Sequence, residues 1–272
     1  MVVTDLDGTL FQKDRQVSGR NLRTLEELGR QGVVRAIATG RNLYSARRVL
    51  PPEFPVDYVL FSSGAGAMDW PTQTLLRAVS MEPADVTRTL EVLSRRTLDF
   101  MLHRPIPDNH LFWYYGSGGD NPDFEARKAI YAEFASPGDP SQPPDGTACQ
   151  FVIVEPPGRE PSSYEELRSE LAGGLTVLRT TSPLDGRSRW IEIFSPLVSK
   201  AQAAAWLAGE RGISPQRILA VGNDYNDLDL LEWAPRAFVV AGSPPELRER
   251  FPVAASGDDS DFAEAVAAWE RA

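Results

Sequence analysis

"VVTDLDGTL" (residues 2–10) places two aspartates, Asp5 and Asp7, one residue apart at the end of an apolar run. Side chains along a strand alternate faces, so carboxylates two apart point the same way while the strand continues. Two like charges held together call for a positive group near them. A divalent cation that takes oxygen ligands and keeps several waters is the simplest such group. A loop that uses Asp and Gly only to turn is the alternative that this stretch alone leaves open.

The pattern around it repeats. Residues 18–31 carry Leu22, Leu25 and Leu28 at helical spacing, with Ser18 as an N-cap and Gly32 as a stop. "VVRAIATG" (33–40) predicts a second buried strand, 42–50 a second helix closed by Pro51 and Pro52, and "DYVLFSSGA" (57–65) a third strand. This alternation predicts an α/β protein with a Rossmann-like, doubly wound parallel sheet. Ligands of such sheets sit outside the carboxyl ends of the strands. Asp5, Asp7, Thr39 and Ser63 occupy those ends, so they are expected to converge on one crevice.

From about 78 to 189 the alternation stops. Helices near 83–95, 122–134 and 163–172 interleave with strands such as "DFMLHR", "LFWYYG", "CQFVIVE", "LTVLRTT" and "RWIEIFS". Strands arriving in pairs predict a small α+β domain with an antiparallel sheet. Alternation resumes with a helix over 200–211, the strand "RILAVGND" (217–224), a helix through Leu231, "AFVVAG" (237–242) and a helix from Ser260. The expected organisation is one core domain, 1–80 plus 188–272, split by an inserted α/β cap, 81–187.

Composition narrows the partners. The 272 residues carry a formal net charge of −10, which would repel a nucleic-acid backbone and makes such a partner a poor fit. A single cysteine, Cys149, permits no intramolecular disulfide. The first residues lack a basic and apolar leader, and no apolar run approaches the roughly 20 residues of a membrane span. A cytoplasmic protein with no membrane partner is the expectation.

Two further features concern the site. "GNDYNDLDLL" (222–231) follows the apolar "ILAV" and offers Asn223, Asp224, Asn226 and Asp227 as oxygen donors; an Asx-rich turn before a helix is the other reading. Lysine is rare in this chain: Lys13, Lys128 and Lys200 stand among 28 basic residues, the rest being arginine. Lys200, near the start of a helix, is either an ordinary solvated lysine or a compact point charge at a site that demands one.

"DLDGTL", "ATGR", Lys200 and "GNDYND" stand in the order and spacing of the four motifs of the haloacid dehalogenase superfamily of phosphohydrolases, which this chain resembles over nearly its whole length. The long insertion resembles the cap of the Cof-like, sucrose-phosphatase-like and mannosyl-3-phosphoglycerate phosphatase-like branch. The resemblance implies that Asp5 is the nucleophile that forms an aspartyl-phosphate and that Asp7 is the general acid and base. It implies that Thr39 and Lys200 hold the phosphoryl group and the nucleophile. Gly40 and Arg41 would face phosphate or substrate, as would Ser63 and Gly64. Magnesium would be the cofactor, held among Asp5, Asp7, Asn223, Asp224 and Asp227. The expected activity is Mg²⁺-dependent hydrolysis of a small phosphorylated metabolite, with a sugar phosphate favoured. A phosphomutase of the same fold and a non-catalytic binding module are the alternatives; the presence of Asp5, Asp7, Thr39 and Lys200 argues against the second.

Two departures from the branch pattern stand out. The fourth motif has Asn223 where the branch carries an aspartate, with Asp224 next to it. "SSGA" (62–65) stands where the branch more often has Asn before Gly-Ala. In the insertion, "HRPIPDNHLFWYYG" (103–116) sets His103, Arg104, Asn109 and His110 beside four aromatics. That composition suits a sugar ring, and it equally suits aromatics that cover the two faces of a cap sheet.

Overall fold

A computed structural model describes residues 1–11, 16–139, 146–257 and 259–271. The chain begins with β1 (Val2–Thr4), α1 (Gly19–Arg30), β2 (Arg35–Ala38), α2 (Leu43–Arg47) and β3 (Tyr58–Phe61). α1 starts where the sequence places its cap: the Ser18 hydroxyl accepts the Asn21 N–H at 3.1 Å, while Leu25 and Leu28 are buried. β3 ends at Phe61, short of the predicted 65, because the chain turns at Ser62–Gly64 and returns as β4 (Gly66–Asp69), antiparallel to β3, and then β5 (Thr74–Ala78). The sequence reading does not predict that hairpin; Gly66 and Asp69 are weak strand formers.

The inserted segment contains α3 (Pro83–Ser94), β6 (Asp99–His103), β7 (Phe112–Tyr115), α4 (Pro122–Ile130), β8 (Ala135–Pro137), β9 (Gln150–Glu155), α5 (Ser163–Glu170), β10 (Thr176–Thr181) and β11 (Arg189–Phe194). The chain then runs through α6 (Lys200–Glu210), β12 (Leu219–Gly222), α7 (Leu228–Trp233), β13 (Arg236–Val240), α8 (Pro245–Arg250), β14 (Val253–Ala254) and α9 (Asp261–Glu270).

Two compact units result: Met1–Arg77 with Ser199–Ala272, and Ala78–Val198. The boundary expected at 187 lies instead at Val198. The reason is β11, which pairs antiparallel with both β9 and β10 and so belongs inside the second unit's sheet.

The first unit holds an eight-stranded sheet in the order β14-β13-β12-β1-β2-β3-β4-β5. β1 runs parallel to β2 on one side and to β12 on the other. Strand order therefore reverses at β1, and a doubly wound sheet opens its binding crevice at the carboxyl end of such a strand. Val2, Val3, Leu219, Ala220 and Val221 are almost wholly buried, as a parallel strand covered on both faces requires. Thr4 pairs with Val221 and Ile37, which aligns Asp5 with the ends of both neighbouring strands.

The second unit is a six-stranded sheet, β10-β11-β9-β6-β7-β8, antiparallel except for the β7–β8 pair. One face packs Phe100, Phe151, Ile153, Ile191 and Ile193 with Leu90 and Leu93 of α3 and Leu167 of α5. The other packs Met101, Phe112, Val152, Val154 and Trp190 with Phe124 of α4. Among the described residues, no helix is long and apolar enough to cross a membrane.

Candidate active site

The first unit brings its chemistry-bearing residues together at the carboxyl end of β1. Asp5 follows the strand directly, its N–H bonded to Val221 O at 2.8 Å. Gly8, at φ +81°, lets the chain fold back, with Gly8 N–H on Phe11 O and Phe11 N–H on Leu6 O.

Lys200 is the first residue of α6 and is fully buried. Its Nζ donates to Asp5 Oδ1 at 2.7 Å and to Asp227 Oδ1 at 2.5 Å. Burial works against the ammonium, yet Asp227 and Asp5 hold its pKa above the usual lysine range. Burial pushes the Asp5 carboxyl up to about 7, with Lys200 pulling it down and the charge of Asp227 pushing it further up. Two buried carboxylates thus share one ammonium.

Asp227 is expected from sequence as a metal ligand, and the structure gives its carboxylate other work. Oδ1 accepts from Lys200, and Oδ2 accepts the N–H groups of Asn223 at 2.9 Å and Asp224 at 3.1 Å. Asp227 therefore shapes the 223–227 loop and fixes the lysine. Asp7 departs in the same way: Arg41 grips its carboxylate with two bonds, Nε to Oδ2 at 2.6 Å and Nη2 to Oδ1 at 2.7 Å. Arg41 also donates to Ser45 Oγ at 2.9 Å, and Ser45 N–H bonds Asn42 Oδ1. Both Asp7 oxygens accept from the guanidinium, so this arrangement does not offer them as metal ligands.

Thr39 is buried, with Oγ1 accepting the Arg41 N–H at 3.1 Å. Its carbonyl accepts the Ser63 N–H at 2.9 Å. Gly40 lies in the same cluster: a Cβ there would be 3.7 Å from both Ser63 Oγ and Asn226 Nδ2. Ser62, Ser63 and Gly64 all have positive φ, at 49°, 54° and 95°. Two non-glycine residues in the left-handed region mark stored strain, held here by bonds to the Thr39–Arg41 loop.

Gly64 is expected at the substrate, whereas the structure gives it a packing role. A Cβ on it would be 2.4 Å from Ser199 O and 2.8 Å from Ala203 Cβ, so the start of α6 rests on bare backbone. Gly64→Ala should cost roughly 1–3 kcal/mol, measured by chemical denaturation, and should lower activity by shifting Lys200. Unchanged stability and activity would show that α6 does not depend on this approach.

A cation fits the remaining donors. Asp5 and Asp227 outnumber Lys200 in buried charge, and the unpaired excess falls on Asp5. The Asn223 side chain reaches the Asp7–Gly8 turn, since a Cβ on Gly8 would be 2.5 Å from its Nδ2. The amide oxygen and nitrogen of such a group are interchangeable by a flip. Among the described residues no three His, Cys, Asp or Glu side chains are grouped to hold a metal ion. Mg²⁺ does not need that, because it binds through one or two carboxylates and keeps several waters. Asp5 and Asn223 are the side chains placed to suit it, while the Asp224 carboxylate, also expected as a ligand, caps the 225–227 turn and accepts the Tyr225 N–H at 2.8 Å.

In the second unit, His103 is buried, with Nδ1 on Asn109 O at 2.8 Å. Burial, reinforced by Arg127, pushes its pKa down to about 3, so it stays neutral. Phe112 and Tyr115 enter opposite cores of that unit, and Arg104 lies over the Trp113 ring at 5.1 Å. The aromatic stretch thus serves packing on both faces of its sheet.

Comparison with known proteins gives a consistent picture. A family model described as haloacid dehalogenase-like hydrolase matches residues 2–261. A Streptococcus pyogenes (serotype M6) protein bearing a phosphatase name is 24% identical, over 99% of this chain and 97% of its own length. The 5-amino-6-(5-phospho-D-ribitylamino)uracil phosphatase of Bacillus subtilis is 21% identical, over 96% of this chain and 94% of its own. A solved structure described as a subclass IIB sugar phosphatase superposes with a TM-score of 0.74 at 14% identity, covering 99% of this chain and 98% of the other.

Proposed function

Since the chain belongs to the haloacid dehalogenase-like hydrolase family, we propose that it is a phosphatase that hydrolyses a small phosphorylated metabolite through a phosphorylated Asp5. The observation that carries this reading is the buried Lys200 ammonium fixed between Asp5 and Asp227, with Asp7 two residues further on. Relatives of nearly equal length act, by name, on a phosphoribitylamino-uracil and on sugar phosphates, and we assign this chain to substrates of that size and polarity.

In this mechanism the Asp5 carboxylate attacks phosphorus and the alcohol leaves, which splits one difficult displacement into two. Phosphoryl transfer asks the protein chiefly for positioning and for charge on the equatorial oxygens. Lys200 supplies that charge beside the nucleophile, and the Thr39–Gly40 loop supplies a hydroxyl and close backbone. Mg²⁺, held by Asp5 and Asn223 with the Asp224 charge nearby in sequence, would supply further charge compensation between two anions. Asp7 donates a proton to the leaving alcohol and then takes one from the hydrolytic water. For the first of these it must leave Arg41, and the anionic phosphoryl group is the counter-ion that draws Arg41 away.

The test is phosphate release across a panel of phosphorylated metabolites, with Mg²⁺ and with a chelator, using Asp5→Asn as the blank. Turnover that needs Mg²⁺ and vanishes in the blank supports the reading; no turnover on any phosphomonoester with Mg²⁺ present overturns it. Asp7→Asn should lower turnover of an alkyl phosphate by roughly 10²–10⁴-fold. It should lower turnover of p-nitrophenyl phosphate far less, because that leaving group departs without a proton. Equal losses on both substrates would remove Asp7 from the acid role.

A further inference from the structure

The Lys200 ammonium can be no better placed than the backbone that carries it, and that backbone is the first turn of a helix. The first N–H groups of a helix have no acceptor within it. At the start of α6 two of them are taken: Ser199 Oγ accepts the Gln202 N–H at 3.2 Å, and Asp229 Oδ2 accepts the Ala201 N–H at 2.9 Å. Asp229 lies in the first turn of α7, two residues after Asp227. One short segment therefore reaches Lys200 twice. Asp227 meets the ammonium at its tip, and Asp229 meets the backbone at the residue immediately after its root.

We propose that Asp229 is a positioning residue for Lys200, and that residues 227–229 form a two-point clamp setting where the ammonium stands against Asp5. A carboxylate beside a helix N-terminus is favourable on its own account. The present arrangement adds direction, because the same N–H it accepts fixes the orientation of the first helical turn. Gly64 completes the seat from the other side, where its bare backbone approaches Ser199 O. The Asp229 side chain touches neither phosphate nor nucleophile in this scheme; it acts through the lysine alone. The catalytic part of the inference rests on the phosphatase reading above, and the structural part does not.

Two variants and two readouts test it. Asp229→Asn keeps an acceptor oxygen of the same reach, and Asp229→Ala removes it. On the best substrate found, Asp229→Ala should lower kcat by roughly ten-fold or more, with KM little changed, since sub-ångström misplacement of a catalytic group is enough for that. Asp229→Asn should restore most of the rate. The second readout needs no turnover: the chain has three lysines, Lys13, Lys128 and Lys200, so the side-chain ammonium signal of Lys200 is assignable by ¹⁵N NMR with a Lys200→Met control. That signal should be slow to exchange in the wild type and in Asp229→Asn, and should shift or broaden in Asp229→Ala. A phosphatase reading that failed would leave this second result standing. Asp229→Ala with a wild-type kcat per folded molecule and an unmoved Lys200 signal would overturn the clamp, as would an Asp229→Asn variant as impaired as Asp229→Ala in both readouts.

Discussion

Asp5→Asn is expected to abolish phosphate release, by roughly 10⁴-fold or more, and at the same time to make the metal-free protein more stable above pH 7. The first effect follows from removing the attacking oxygen. The second follows from the buried charge. With Asp5 present, two carboxylates face one ammonium; with asparagine there, Lys200 and Asp227 form a balanced pair. Folding raises the Asp5 pKa from 3.8 to about 7. Below pH 4 the carboxyl is protonated both folded and unfolded, and the group leaves stability unaffected. As pH rises from about 4 to 7 the unfolded chain releases the proton while the folded chain keeps it, so stability falls with pH through that window. The loss is fully present above pH 7 and is on the order of a few kcal/mol. Thermal denaturation in a chelator should therefore show Asp5→Asn gaining on the wild type as pH rises from 4 to 8, with little gain at pH 4. Mg²⁺ should narrow the difference at pH 8 by binding the folded wild type. A variant less stable than the wild type at pH 8 without metal would contradict this account of the charge balance.

The second large effect belongs to Lys200. Lys200→Met removes the cation from a site where Asp227 is wholly buried and Asp5 nearly so. Breaking a buried ion pair by deleting one partner costs about 3–5 kcal/mol, because the other charge stays behind without compensation. For a domain of this size that corresponds to a fall in Tm of roughly 10 °C. Activity should be lost as well, since nothing then offsets the approach of an anionic phosphate to an anionic Asp5. Lys200→Arg should rescue neither property, because a planar guanidinium does not fit a pocket with no exposed surface. Combining Lys200→Met with Asp227→Asn separates the two roles. The double variant should recover part of the lost stability, measured by thermal and urea denaturation, and no activity. A double variant no more stable than Lys200→Met would show that the charge triad is not what stabilises this region.

The fold and the outline of the site were both legible from the sequence, for a shared reason. In a doubly wound sheet, every strand that ends in polar residues delivers them to the same crevice, so local strand ends at Asp5, Thr39 and Ser63 carry long-range information. The helix cap at Ser18 was legible too, because a cap is a contact between near neighbours in sequence; the cap at Asn42 emerged only in the structure. Pairings between distant residues left no such mark. Nothing in "ATGR" states that Arg41 holds Asp7, or in "GNDYND" that Asp227 turns both its oxygens to hydrogen bonds. Gly64 reads as a substrate-facing residue until α6, far along the chain, is found resting on it. Asp229 was hidden among neighbouring acids, since only its bond to the Ala201 N–H sets it apart. The β11 boundary was misplaced because an apolar strand carries no label for the sheet that receives it.

The central claim is that Asp5 itself carries the phosphoryl group. Borohydride reduces an acyl phosphate to an alcohol and leaves free carboxylates intact. Enzyme quenched during turnover with Mg²⁺ and substrate, treated with borohydride and digested for mass spectrometry, should contain homoserine at position 5 and aspartate at every other acidic position of the first ten residues. Samples without substrate should contain none. Homoserine at a different residue, or none at position 5 in enzyme that is releasing phosphate, would contradict the claim.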